Sequence, residues 1–222
     1  MRMKSLTSIR TWIYEPIFKM RLSDTLRSAA AKPLVFVLCL VPFFGLIWNA
    51  FYGDLGANPV EAITHETGDW ALRFLLITLA ISPLRQWFGM AVLLRFRRMF
   101  GLYVFFYACS HFLIWLVADH SFDFADMFED IIDRPYITLG FSALILLIPL
   151  AVTSNHAMVR RLGQRWKKLH QLTYLITILA ILHFIWLVKA DYVEAGIYAV
   201  IGMSLLLQRT KIKKWFLTKA TA

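Results

Sequence analysis

The sequence is short of the residues that most soluble chemistries need. Only two of its 222 residues are cysteine, and neither lies in a CxxC or CxxCH pattern, so covalent c-type heme attachment is disfavoured. Cys39 and Cys109 fall inside apolar runs and read as inert, small apolar groups. No P-loop, dinucleotide-binding glycine fingerprint, HExxH or nucleophile elbow occurs, which leaves soluble-style nucleotide chemistry unsupported. Charge is scarce as well, at 17% of residues against roughly 25% in an ordinary domain. The small-residue pattern of a cleavable signal is missing after the first apolar run, and further runs follow at once.

Apolar residues are what the chain has in excess. They make up 59% of it, above the roughly 45–50% of soluble domains, with 18 Phe, 8 Trp and 8 Tyr among them. They arrive in runs of membrane-spanning length, which excludes disorder and predicts an all-α, polytopic membrane protein. The segment 33–49 nearly covers a hydrocarbon layer of about 30 Å at about 1.5 Å per residue. Five more candidates, 70–84, 99–117, 136–152, 169–188 and 193–207, give a bundle of six transmembrane helices. A basic segment at 1–32 precedes the 33–208 bundle and a basic tail at 209–222 follows it. The stretch 86–96 is too short to cross and reads as a surface turn or amphipathic helix.

Charge sets the expected orientation. Of 24 basic residues, 21 fall in the amino-terminal segment, the second and fourth loops and the tail; 12 of the 14 acids fall in the other loops, opposed there only by Arg73, Arg134 and Lys189. The positive-inside rule then puts both termini in the cytoplasm. A nucleic-acid partner is not expected, because the basic residues are dispersed around helix ends without a recognition motif. They face anionic lipid instead. The acidic stretch 119–136 is a candidate docking surface for a basic partner outside.

Histidine at membrane depth is the chemical signal. His111, inside FYACSHFLIW, and His183, inside AILHFIWLV, lie about 18 Å and 20 Å up their helices from the basic side, hence at one level. Two neutral imidazoles on different helices can clamp an iron axially; a proton relay and simple packing are the competing readings. His170, in WKKLHQLTY, sits lower and marks a candidate second site. No histidine lies below His111 on its own helix; Arg97, 14 residues back, faces that way and suits a propionate or a lipid headgroup better than iron. His65 is a candidate cap for the second helix or a candidate contact for an outer partner, while His120 and His156 read as exposed loop residues. Trp115 and Trp186 are candidates for a pocket wall or for interfacial anchors. Asp133 and Arg134 are placed to form a local salt bridge.

Several segments together resemble one family: GANPVEAITHETGDWAL after the first run, SPLR at 82–85, LRFRRMFGLY leading to His111, DRPYITLG at 133–140, and AVTSNHAMVRRLGQRWKKLHQLTYL through His170, followed by His183. The chain is similar over nearly its full length to heme-binding membrane subunits of the periplasmic protein-methionine-sulfoxide reductase system, within the ferric-reductase-like transmembrane superfamily. The resemblance implies an electron conduit in the bacterial inner membrane carrying one or two hemes b, with His111, His170 and His183 as iron ligands; Arg97 is a candidate cofactor-binding residue by its spacing from His111 alone. It implies a molybdopterin-containing periplasmic partner that reduces methionine sulfoxide. It implies electrons from the quinone pool, or from FMN or a cytoplasmic flavin reductase. The superfamily's usual four histidines are three here. A stand-alone quinone-linked cytochrome or ferric reductase, and a histidine-containing proton or metal transporter, are the alternative functions.

Overall fold

The structure, a computed structural model, describes residues 24–53, 55–188 and 192–220, with side chains as far as Arg209. The basic amino-terminal segment is thus described only from Asp24 onward, and Lys189, Asp191 and the tail lysines lie outside the described side chains.

Every described element is helical. α1 is Ala31–Tyr52, α2 Pro59–Phe88, α3 Leu94–Ala118, α4 Phe124–Asp133, α5 Pro135–Val152, α6 His156–Leu162, α7 Gln164–Leu169, α8 Leu172–Leu187 and α9 Tyr192–Ala220. Among the described residues, four stretches are long and apolar enough to cross a membrane: α1, Ala91–Ala118, α5 and Gln164–Leu187. α2 and α9 have 30 and 29 residues, long enough to span, but they carry more charge than the other four.

Local chemistry explains where the helices start and stop. α2 begins 11 residues before the expected start at position 70, because Asn58 caps it: its Oδ1 accepts from the Glu61 amide at 3.3 Å, and Pro59 occupies the first turn. His65 therefore lies within a helix and caps nothing. α2 ends at Gly89, whose φ of +66° suits a left-handed cap, and a 3₁₀ turn at Ala91–Leu93 reverses the chain into α3. The expected separate surface element at 86–96 is instead divided between the end of α2, this turn and the start of α3. α4 starts on Asp123, which accepts from the amides of Ala125 and Asp126.

The main packing units are two helix pairs, α2 with α3 and α5 with α8, joined through contacts of α3 with α5 and of α9 with both α2 and α8. Between helices in lipid there is little hydrophobic drive, so shape and hydrogen bonds must hold them. In the first pair, Phe74 stacks on Tyr103 and Tyr107 with centroids 5.5 and 5.4 Å apart. The two tyrosine hydroxyls donate to the Phe36 and Cys39 carbonyls of α1 at 2.7 and 2.8 Å, which ties α1 to α3. Buried Thr67 and Thr177 donate back into their own helices and so bring no unpaired hydroxyl into the core.

The ends of the bundle differ in charge. Arg73 donates to the Tyr198 hydroxyl at 2.8 Å and pairs with Glu66, Asp69 and Glu194, so this cation is held between α2 and α9. His120, expected in the open, is buried at 7% exposure: its Nδ1 lies 2.7 Å from Asp126 and its ring meets Trp115 edge-on at 4.4 Å. The turn after α3 folds back against α4, and this tertiary contact buries a residue that hydropathy places in a loop. Arg134 pairs with Asp130 at 2.8 Å, one helical turn away, rather than with neighbouring Asp133. His156 is exposed at the start of α6, as expected.

A candidate cofactor site between two helix pairs

α3 carries His111 and α8 carries His183, and the fold brings these two rings together edge-on, with centroids 6.1 Å apart and planes at 77°. Each is fixed by the helix it packs on. His111 Nδ1 donates to the Thr64 carbonyl of α2 at 2.8 Å; His183 Nδ1 donates to the Tyr136 carbonyl of α5 at 2.6 Å. A carbonyl can only accept, so both rings hold their proton on Nδ1 and keep Nε2 as a free lone pair.

Glycine makes that approach possible. Four residues after Thr64 stands Gly68, where a Cβ would lie 3.1 Å from His111 Nδ1; four after Tyr136 stands Gly140, where a Cβ would lie 2.9 Å from His183 Nδ1. A side chain in either place would push the ring off the carbonyl. The two halves share one spacing: 47 residues from carbonyl to histidine in each, and 43 from glycine to histidine (111 − 68 and 183 − 140).

A cavity of about 610 Å³ contains both rings. Its walls are apolar, with Leu75, Val104, Ala108, Leu144 and Ile176 among them, and Glu61, His65, Asp119 and Arg134 stand at its acidic end. Sites for organic cofactors have about this size, roughly 300–1,000 Å³, and this balance of apolar wall and few polar groups. Trp115 lines the cavity, whereas Trp186 is exposed outside it.

Among the described residues, no group of three His, Cys, Asp or Glu side chains gathers to hold a bare metal ion. Two opposed imidazoles instead suit a metal whose remaining positions are filled by a ligand of its own. A shared metal about 2 Å from each nitrogen, with about 1 Å more to each ring centre, puts the centroids about 6 Å apart. The observed separation matches.

His170 and Arg97 lie outside this cavity. His170 sits at the junction of α7 and α8, stacked on Trp166 at 3.9 Å, with its Nε2 3.2 Å from the Thr153 hydroxyl. Trp166 Nε1 donates to the Thr153 carbonyl at 2.9 Å, so α7 and the end of α5 hold this ring together. Arg97 and Arg98 of α3 are close enough to His170 to interact with it electrostatically. The structure thus brings His111 and His183 together, and leaves His170 apart from them, within electrostatic reach of Arg97 and Arg98.

Histidine at membrane depth does not by itself point to the supporting residues Thr64, Gly68, Tyr136 and Gly140. One signal would have found them: GxxAL occurs at 68–72 and again at 140–144, each 43 residues before its histidine.

The fold defines an all-α, polytopic membrane helical bundle with an internal, histidine-lined cavity. Residues 67–181 match the family model for the ferric reductase like transmembrane component. A protein-methionine-sulfoxide reductase heme-binding subunit MsrQ of Xanthomonas euvesicatoria is 52% identical over 183 residues, covering 80% of this chain and 84% of the relative. Proteins of the same name from Herminiimonas arsenicoxydans and Ralstonia nicotianae are each 50% identical over 80% of this chain and 83% of theirs. The chain belongs to the MsrQ family.

Proposed function

We propose that the chain is a membrane electron-transfer subunit that holds a b-type heme between His111 and His183. The observation that carries this reading is the opposed pair of rings 6.1 Å apart, each anchored through Nδ1 to a backbone carbonyl with Nε2 left free. The bound heme supplies a one-electron iron couple. The residues of the chain do the rest: the backbone carbonyls fix the imidazole tautomers and raise their basicity as ligands, and the apolar walls keep water from the centre. Arg134 and His65 at the mouth offer the polar contacts that carboxylate edges of a porphyrin need.

His170, with Arg97 beside it, is a second candidate level nearer the basic end and gives the conduit a direction. In this reading α2 and α9 complete six spans, both termini are cytoplasmic, and electrons enter at the basic end from the quinone pool, or from FMN or a flavin reductase. They leave at the acidic end to a periplasmic molybdopterin-containing methionine-sulfoxide reductase. Oxygen removal from oxidised methionine belongs to that partner. The membrane is the bacterial inner membrane, as the family's bacterial members support.

Reduced-minus-oxidised spectra of the purified chain test the cofactor assignment. Bis-histidine b-type bands are expected; their absence after heme supplementation would contradict it. A transporter, by contrast, would retain proton or metal transport without heme.

A further inference from the structure

Every ion pair among the described residues lies at the acidic end of the bundle. At the opposite end, Arg85 at the foot of α2, Arg97 at the start of α3 and Arg209 of α9 are near enough to repel one another, with Tyr174 of α8 beside Arg97 and Arg209. No described carboxylate pairs with any of the three.

Arg209 is held by an unusual device. Pro83 has no N–H, so the carbonyl one turn earlier, at Leu79, is left without its helical donor. Arg209 Nη2 donates to that carbonyl at 3.2 Å, and its guanidinium lies 5.9 Å from the centre of the Tyr174 ring. Its Nε is buried and has no hydrogen-bond partner. An anchored guanidinium with an unsatisfied donor, beside two further arginines and with no acid paired to them among the described residues, calls for an oxyanion.

We propose that Arg85, Arg97 and Arg209 form a binding site for the headgroup phosphate of an anionic phospholipid. The depth of the cluster favours this source. Arg97 is the fourth residue of α3, about 21 Å along that helix from His111, and Arg85 is exposed within a turn of the end of α2, so the cluster lies where lipid phosphates sit. An anionic headgroup brings the negative charge that three arginines lack, whereas a choline headgroup brings a cation with its phosphate.

The test is native mass spectrometry of the heme-loaded full chain offered phosphatidylglycerol or phosphatidylcholine in detergent. One retained phosphatidylglycerol is expected, with about tenfold lower occupancy in Arg85→Gln. Lys167→Gln, which removes an exposed charge elsewhere on the basic end, should retain it. Arg209→Lys keeps the charge while removing the unpaired Nε, and so reports on Arg209 without stripping the Leu79 carbonyl of a cationic donor; weaker retention is expected. Equal adducts in wild type and Arg85→Gln would overturn the site. Loss of heme absorbance in Arg85→Gln would overturn it too, by giving the cluster to the carboxylates of a cofactor. Displacement of the lipid by millimolar inorganic phosphate would overturn the lipid source in favour of a soluble phosphate ester.

Discussion

At the level of His111 and His183 the two halves of the bundle do the same thing twice, while at the level of His170 they do not. Each upper ring lies on a glycine, donates Nδ1–H to the carbonyl one turn before that glycine, and lines the shared cavity. His170 has no such backing: its Nε2 is near the Thr153 hydroxyl, a tryptophan covers one face, and the neighbour on α3 is an arginine. The contrast teaches that a histidine ring at membrane depth is positioned by the partner its Nδ1 finds on a neighbouring helix. The upper pair has identical second partners in both halves, and the lower level has a single ring held by side chains.

Removing a ring should break the comparison most severely. His111→Ala and His183→Ala are each expected to abolish the same b-type signal in reduced-minus-oxidised spectra, whereas His170→Ala leaves that signal and alters another. Identical loss from all three substitutions would contradict the two levels.

Filling a glycine comes next. A methyl at Gly140 would stand 2.9 Å from two atoms of the His183 ring, so Gly140→Ala should cost about 1–3 kcal/mol through overpacking and lower the heme-to-protein ratio of the upper site. Gly68→Ala places its methyl 3.1 Å from His111 and should do the same less strongly. An equal ratio in both variants and wild type, from pyridine hemochrome and protein assays, would remove the glycines from the account.

A smaller effect is expected from Thr153→Val, which takes away the hydroxyl beside His170 at a cost of about 1 kcal/mol. It should move only the His170-dependent signal. The mildest for the cofactor is His120→Phe. Losing the bond to Asp126 should cost about 1–3 kcal/mol and lower the melting temperature by several degrees, with heme spectra unchanged. A heme shift in this variant would show that the α3–α4 turn reaches the site.

Much of this was legible in the sequence, and the reasons are local. A run of apolar residues long enough to span predicts a helix whatever its neighbours are, and α1, α3, α5 and α8 follow their runs closely. Counting 1.5 Å per residue put His111 and His183 at one level, and the rings meet there. Two kinds of feature escaped. Helix starts decided by caps, such as Asn58 with Pro59, extended α2 well past its apolar run. Contacts across chain reversals, such as His120 with Asp126 or Arg209 with the Leu79 carbonyl, depend on packing that hydropathy does not record. The glycine and carbonyl partners of the histidines belong to the second kind, although their repeated spacing was present in the sequence.

The most direct test of a shared upper site is a heme count on wild type, His111→Ala, His183→Ala and the double variant, by pyridine hemochrome on equally folded protein. Two residues that ligate one iron should lose the same heme once, so the double variant should hold as much heme as either single one. A double variant that loses the sum of the two single losses would contradict the account.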